Sequence, residues 1–196
     1  MALPALTPST RERAGDATRA RLFEAAVEEF RRVGFDAASV APIARSAGVS
    51  RSNFYFHFPT KEQVLVELRY ALELGIADRL KRCRSLREAF DALVDGLLEA
   101  EAIVASPELF RDMLVLSTRR PMGAPFDTEV FPTLVELTRH FEEGAVRGEL
   151  RPGIDPQRAP LLCLASVHGV QVNVPEEDRQ SDFEQLFFLY LAEKSP

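Results

Sequence analysis

The sequence predicts an all-α protein of about nine helices: three at the N-terminus, a long connecting helix and a larger helical bundle. Three observations carry this. Apolar residues recur at helical spacing along almost the whole chain. Helix-start signatures recur with them: Thr60-Lys61-Glu62-Gln63, Ser85-Leu86-Arg87-Glu88 and Ser181-Asp182-Phe183-Glu184 each set a hydroxyl three residues ahead of a Glu or Gln, the pattern of a reciprocal capping box. No alternating run bounded by turn signals makes a convincing strand, and there is no internal repeat.

The first helix is framed by Asp16 as its cap and Gly34 as its stop, with Phe23, Ala26, Val27, Phe30 and Val33 on one face and Phe35 packing back beyond the glycine. Ser39 caps a short second helix whose buried stripe is Val40, Ile43, Ala44 and Ala47. Pro42 lies in its first turn, where a missing amide proton costs little. Gly48-Val49-Ser50 turns the chain into a third short helix, about Arg51 to His57, which ends against Pro59. Thr60 opens the long helix with Val64, Leu65, Leu68, Leu72 and Ile76. Ser85 opens the next, with Phe90, Leu93, Val94, Leu97 and Leu98, and Ser106-Pro107-Glu108 opens another with Phe110, Met113 and Leu114. Arg119 to Pro125 holds two prolines and a glycine and reads as a loop. A helix then starts near Asp127, is bent or restarted at Pro132, and stops at Gly148. Asp155-Pro156, a cap followed by proline at the first helical position, starts a helix that reaches about Val172 and breaks at Val174-Pro175. Ser181 opens the last helix, to about Lys194.

The 196 residues suffice for one large domain or two small ones, and 46% hydrophobic with 28% charged residues excludes general disorder. A net charge of −6 excludes a chain that is basic throughout. The charge is uneven, however: residues 1–65 carry nine basic and seven acidic side chains, residues 66–196 fifteen and twenty-three. The N-terminal end is therefore the one able to approach a polyanion. Cys83 and Cys163 stand in no metal or redox spacing, which suits a reduced, cytoplasmic chain with inert thiols. The first 16 residues lack the charged-then-apolar order of a secretory signal and read as a flexible leader. The long uncharged stretch from Ala159 to Pro175 contains Pro160, His168, Gln171 and Asn173, too short and too polar to span a bilayer, so it reads as a buried helix. Three scattered histidines and the lack of HExxH, GxSxG or a phosphate loop argue against an enzyme, so no catalytic residue, metal or cofactor is expected. His140, beside Glu136 and Glu143, reads as part of a solvated helix face rather than a metal site.

The informative segment is Ser39 to Lys61. Two short helices joined by a glycine turn make a helix-turn-helix, in which the first helix braces the second and the second presents its outer face to a DNA major groove. Ile43, Ala44, Val49, Phe54 and Phe58 form the small core. Arg51, Ser52, Asn53, Tyr55 and His57 remain outside, and Phe56 stays ambiguous between its core neighbours.

The stretch Thr18 to Leu65, about a quarter of the chain, resembles the DNA-binding domain of the TetR family of bacterial transcriptional regulators. The residues that carry the resemblance are Ala25-Ala26, Phe30, Gly34-Phe35, Ser39-Val40, Ile43-Ala44, Ala47-Gly48-Val49-Ser50, Phe54-Tyr55-Phe56-His57-Phe58 and Lys61-Glu62. Gly148-Glu149-Leu150-Arg151-Pro152 before Asp155-Pro156 is similar to the family's regulatory domain. The resemblance implies a flexible leader (1–16), a helix-turn-helix DNA-binding domain (17–65) and an effector-binding and dimerisation domain (66–196). It implies that Ser39 bonds a phosphate, that Arg51, Ser52 and Asn53 reach base edges or phosphates, that Tyr55 and His57 contact the backbone or a thymine methyl, and that Lys61 pairs with a phosphate. Arg11, Arg13, Arg19 and Arg21 would add phosphate contacts. Family members often carry a polar or charged residue near the positions of Ala41 and Pro42; its absence shifts base readout toward Arg51 and Asn53.

The body would then be the sensor. The small residues Ala165, Ser166 and Gly169, and the apolar run Phe183, Leu186, Phe187, Phe188, Leu189, Tyr190 and Leu191, suit a homodimer formed through the last two helices. Candidate effector residues are Phe90, Leu93, Leu97, Phe110, Met113, Leu114, Phe131, Leu134, Leu137 and His168, and the Met and Phe side chains suit a small apolar molecule. The expected function is a repressor bound as a homodimer to a palindromic operator and released when the effector shifts the long helix and spreads the two recognition helices. The rival readings are a helical apolar-ligand-binding protein that has lost DNA binding, and an activator of the same family.

Overall fold

The computed structural model describes residues 13–118 and 131–192. Among them are nine helices: α1 (Arg13–Val33), α2 (Val40–Ser46), α3 (Arg51–His57), α4 (Lys61–Leu80), α5 (Leu86–Val104), α6 (Pro107–Thr118), α7 (Pro132–Val146), α8 (Ala159–Asn173) and α9 (Glu176–Phe188). The chain is all-α, as the sequence predicts; the described residues hold one isolated antiparallel bridge, Leu150 to Leu191, and no strand.

The chain divides into two compact units. The first holds the N-terminal helices through Leu72 and the segment that begins at Ala100; the second holds Glu73–Glu99 and the helices from α7 onward. The boundary drawn from sequence, between residues 65 and 66, thus lies inside α4, and the end of α5 and all of α6 join the first unit.

In the first unit α1 buries Leu22, Phe23, Ala26, Val27 and Phe30, the spacing that the amphipathic pattern requires. Gly34 ends the helix at φ +82°, a conformation glycine adopts without strain, and this turns Phe35 back so that its ring meets Phe30 edge-on at 5.2 Å. Arg31 donates to the carbonyls of Ile103 (2.6 Å) and Val104 (2.8 Å), satisfying groups at the end of α5 that have no helical partner.

In the second unit Phe90 stacks on Phe187 with centroids 4.3 Å apart and meets Phe141 edge-on at 5.6 Å, while Phe141 meets Tyr190 at 5.5 Å. Gly96 lets α5 approach α4 closely, since a Cβ there would lie 3.0 Å from Ile76 Cγ1. Glu149 Oε2 accepts the Leu86 N–H at 2.7 Å, capping the start of α5. Beside the bridge, Arg151 N–H donates to Tyr190 O and Ala192 N–H to Glu149 O, each at 2.8 Å. No helix among the described residues is long and apolar enough to cross a membrane.

Several boundaries differ from the sequence reading. Asp16 lies inside α1, which begins at Arg13. Pro132 is the first residue of α7; the expected start near Asp127 and the loop from Arg119 to Pro125 lie outside the described residues. Asp155-Pro156 forms a turn closed by Asp155 Oδ1 on Gln157 N–H (2.9 Å), and α8 starts three residues later at Ala159. Pro160 explains the delay, because it has no N–H to bond back to the carbonyl of residue 156. Ser181 does not open the last helix. It lies inside α9, which starts directly after Pro175 with Glu176, Glu177 and Asp178 in its first turn, where acidic groups favour a helix N-terminus. Glu184, the expected partner of that cap, instead takes two hydrogen bonds from Arg87 at 2.7 and 3.0 Å. In the Ser85 box the hydroxyl accepts Glu88 N–H (3.1 Å), but the Glu88 carboxylate reaches one residue further, to Arg84 N–H (2.7 Å).

His140 is not part of a solvated face. It is fully buried and its Nε2–H donates to Leu80 O at 2.7 Å, while Glu136 and Glu143 pair with Arg139. Burial pushes the thiols of Cys163 and Cys83 up, so both are held as thiols.

Candidate nucleic-acid interface

The turn between α2 and α3 is built by backbone groups. Ala47 N–H donates to Ile43 O (3.0 Å), Gly48 N–H to Arg45 O (3.1 Å) and Val49 N–H to Ala44 O (2.9 Å), and Gly48 takes φ +71°. Ser50 then caps α3, its hydroxyl accepting Asn53 N–H at 3.2 Å. Beneath the helix Ile43, Ala44, Phe54 and Phe58 are buried and Val49 packs partly against them. Phe58 also lies under the Arg19 guanidinium, 4.7 Å from its ring centroid, and Arg19 pairs with Glu67.

This core leaves one face of α3 outward. Arg51, Ser52 and Tyr55 are exposed, and Asn53 and His57 are half-buried. The Asn53 Oδ1 is buried without a hydrogen-bond partner among the described residues. Phe56, left ambiguous in the sequence, is 82% exposed and is not core. Its position follows from helical geometry: at about 100° per residue, residues two before and two after Phe54 point away from it, so Ser52 and Phe56 form the centre of the outer face. Counting angles from Phe54, rather than counting aromatics, finds this residue in the sequence. Between Ala37 and Lys61 the chain holds no Asp or Glu, while Arg45 and Arg51 are exposed, so the segment that carries α2 and α3 adds no acidic repulsion toward a polyanion.

The other expected DNA contacts are placed differently. Ser39 sits at the N-cap position of α2 and is exposed, but its hydroxyl makes no capping bond. Lys61 turns inward. Its Nζ donates to the carbonyls of Phe35 (2.7 Å), Asp36 (3.1 Å) and Ala38 (3.3 Å) and stands 4.5 Å from the Phe35 ring centroid. Arg21 donates to the Thr18 hydroxyl at 3.3 Å. Arg11 and the Arg13 side chain lie outside the described residues.

The candidate effector residues fall into both units. Phe110, Met113 and Leu114 pack in the core of the first. Phe90, Leu93, Leu97, Leu134 and Leu137 pack in the core of the second, where Phe90 is held in the aromatic cluster described above; Phe131 and His168 belong to the same unit. Sequence reasoning missed two buried polar side chains of this unit, Glu73 and Thr133, and had Gln171, also buried, inside the uncharged stretch that it read as a buried helix. The Thr133 hydroxyl donates to Glu73 O (3.3 Å) and Gln171 Nε2 to Leu97 O (2.9 Å). Thr133 shares the buried face of α7 with His140, and no motif in the sequence marks Glu73 or Thr133.

Known proteins are similar to this chain in sequence and in fold. The sequence signature described as bacterial regulatory proteins, tetR family, matches residues 22–68. The chain is 33% identical over 170 residues to the HTH-type transcriptional regulator RutR of Escherichia coli (strain K12), covering 82% of this chain and 76% of that one. It is 25% identical over 178 residues to the HTH-type transcriptional regulator UidR of the same strain, covering 86% and 88%. Its fold is similar to that of Thermus thermophilus FadR, a TetR-family repressor solved with lauroyl-CoA, with a TM-score of 0.69, 25% identity, and 91% and 97% of the two chains covered. The family signature over the helix-turn-helix, with 33% identity to a regulator across most of both chains, places the protein in the TetR family as a DNA-binding transcriptional regulator.

Proposed function

We propose that the protein is a repressor that binds a palindromic operator as a homodimer and is released by a small, largely apolar effector. The observation that carries this reading is the outer surface of α3, where Arg51, Ser52, Tyr55 and Phe56 are exposed over a buried core with no acidic residue between Ala37 and Lys61. Arg51 and Asn53 read base edges, Ser52 and Tyr55 contact the DNA, and His57 and Ser39 meet phosphates. Lys61 braces the loop that carries Ser39 rather than meeting a phosphate.

Dimerisation is supported by an uncovered apolar surface on the last two helices. Leu162, Phe188 and Leu189 are about 60% exposed, and Ala165 and Ser166 beside them are small enough for close approach. Two-fold pairing gives two recognition helices and hence a palindromic site. The effector is placed in the second unit, among Leu93, Leu97, Phe131, Leu134 and His168. Effector binding acts on α4, which runs from one unit into the other, and separates the recognition helices so that both no longer dock at once. The FadR complex with lauroyl-CoA supports an effector with a long apolar part. Such a regulator works in the cytoplasm and carries out no catalysis.

Selection from random duplex DNA with the full chain tests the reading, followed by sedimentation of the complex and transcription in vitro from a promoter carrying the selected site. The expected result is a palindrome bound by two chains and a fall in transcript. Selection of no sequence, or binding as a single chain, overturns it.

A further inference from the structure

The most exposed large apolar side chain of α3 is Phe56, at 82%, against 47% for Tyr55 and 0% for Phe54. It shares the outermost strip of the helix with Ser52, one turn away. The edge of the His57 ring, 5.1 Å off, is its aromatic neighbour. Phe56 has no hydroxyl, so it can form no side-chain hydrogen bond to a phosphate or a base; it gains only by covering apolar surface. The sugar–phosphate ridges present anionic oxygens. On the floor of the major groove the apolar group is the 5-methyl of thymine.

We propose, resting on the DNA-binding reading above, that Phe56 packs against a thymine 5-methyl in each half-site and gives the protein a preference for thymine at that position. The seven residues of α3 span roughly 10 Å, less than the groove's width of about 12 Å, so both ends of the Ser52–Phe56 strip reach the base edges. The absence of acidic residues from Ala37 to Lys61 leaves the strip free to approach DNA.

The test uses the full chain and its selected duplex, with each half-site thymine replaced in turn by deoxyuridine, which removes the methyl and nothing else. At one symmetric position, substitution in both half-sites weakens wild-type binding about fifteenfold, or about fourfold per methyl. Phe56→Ala binds the two duplexes equally, at the weakened level, and Phe56→Leu keeps a preference for the methyl. Because Phe56 is exposed, thermal melts of Phe56→Ala match wild type, which separates contact from folding. A wild type indifferent to every deoxyuridine, or a Phe56→Ala variant that keeps the wild-type methyl preference, overturns the proposal and leaves DNA binding standing. Failure to select any sequence overturns the DNA-binding reading, and the proposal with it.

Discussion

Replacing Lys61 with methionine keeps an unbranched side chain, one heavy atom shorter, and removes the ammonium group with its charge and its donors. The Nζ makes hydrogen bonds of 2.7, 3.1 and 3.3 Å to the carbonyls of Phe35, Asp36 and Ala38 and lies 4.5 Å from the Phe35 ring. A hydrogen bond to a charged donor contributes about 1.5–3 kcal/mol where it is sheltered. The carbonyls of Phe35 and Ala38 are partly sheltered and that of Asp36 is open to water, so the three bonds together are worth about 2 kcal/mol rather than three full increments. The ring contact adds about 0.5 kcal/mol. At about 2–4 °C per kcal/mol for a chain of this size, Lys61→Met lowers Tm by roughly 5–10 °C in a circular dichroism melt. A phosphate-binding lysine would behave in the opposite way: Tm would hold, and the slope of log affinity against log salt would fall by about one for each lysine lost. An unchanged Tm with a reduced salt slope would refute the bracing role.

Phe188→Glu or Leu162→Glu places charge on the uncovered face of the last two helices; sedimentation should show single chains, and affinity for the selected duplex should fall with the lost avidity. Gly96→Val drives side-chain atoms into Ile76 and should cost about 1–3 kcal/mol by urea unfolding, with part of that recovered in the Ile76→Ala background. Arg147 and the Leu86 N–H hold the Glu149 carboxyl below the usual carboxylate range. Its contribution is present above the ordinary value of about 4.3 and is lost as pH falls below it, so Glu149→Gln should lower stability at neutral pH and flatten the acid decline in melts.

Much of the first unit can be read from the chain because its rules are local. Gly34 and Gly48 need positive φ, Ser50 lies one residue before a helix, and Phe54 and Phe58 recur four apart on the buried side. What could not be read depends on partners distant in sequence. Glu184 looks like a capping partner for Ser181 until Arg87 takes it, and the start of α9 is set by Pro175 and three acids instead. Nothing in the sequence around Lys61 shows that the fold brings the carbonyls of Phe35, Asp36 and Ala38 to its ammonium. His140, three residues after Leu137 and next to Phe141, lies on the buried stripe of α7, and its hydrogen-bond acceptor, Leu80 O at the end of α4, is sixty residues away in the chain.

The central claim is that the outer face of α3 meets DNA. Its most direct test is the affinity of the full chain for its selected duplex, measured by fluorescence anisotropy across a salt series for wild type and for Arg51→Ala, Asn53→Ala and Tyr55→Ala. Binding should weaken linearly in log salt, and each variant should bind about tenfold or more weakly while sedimenting as wild type. Three variants with wild-type affinity would contradict the claim.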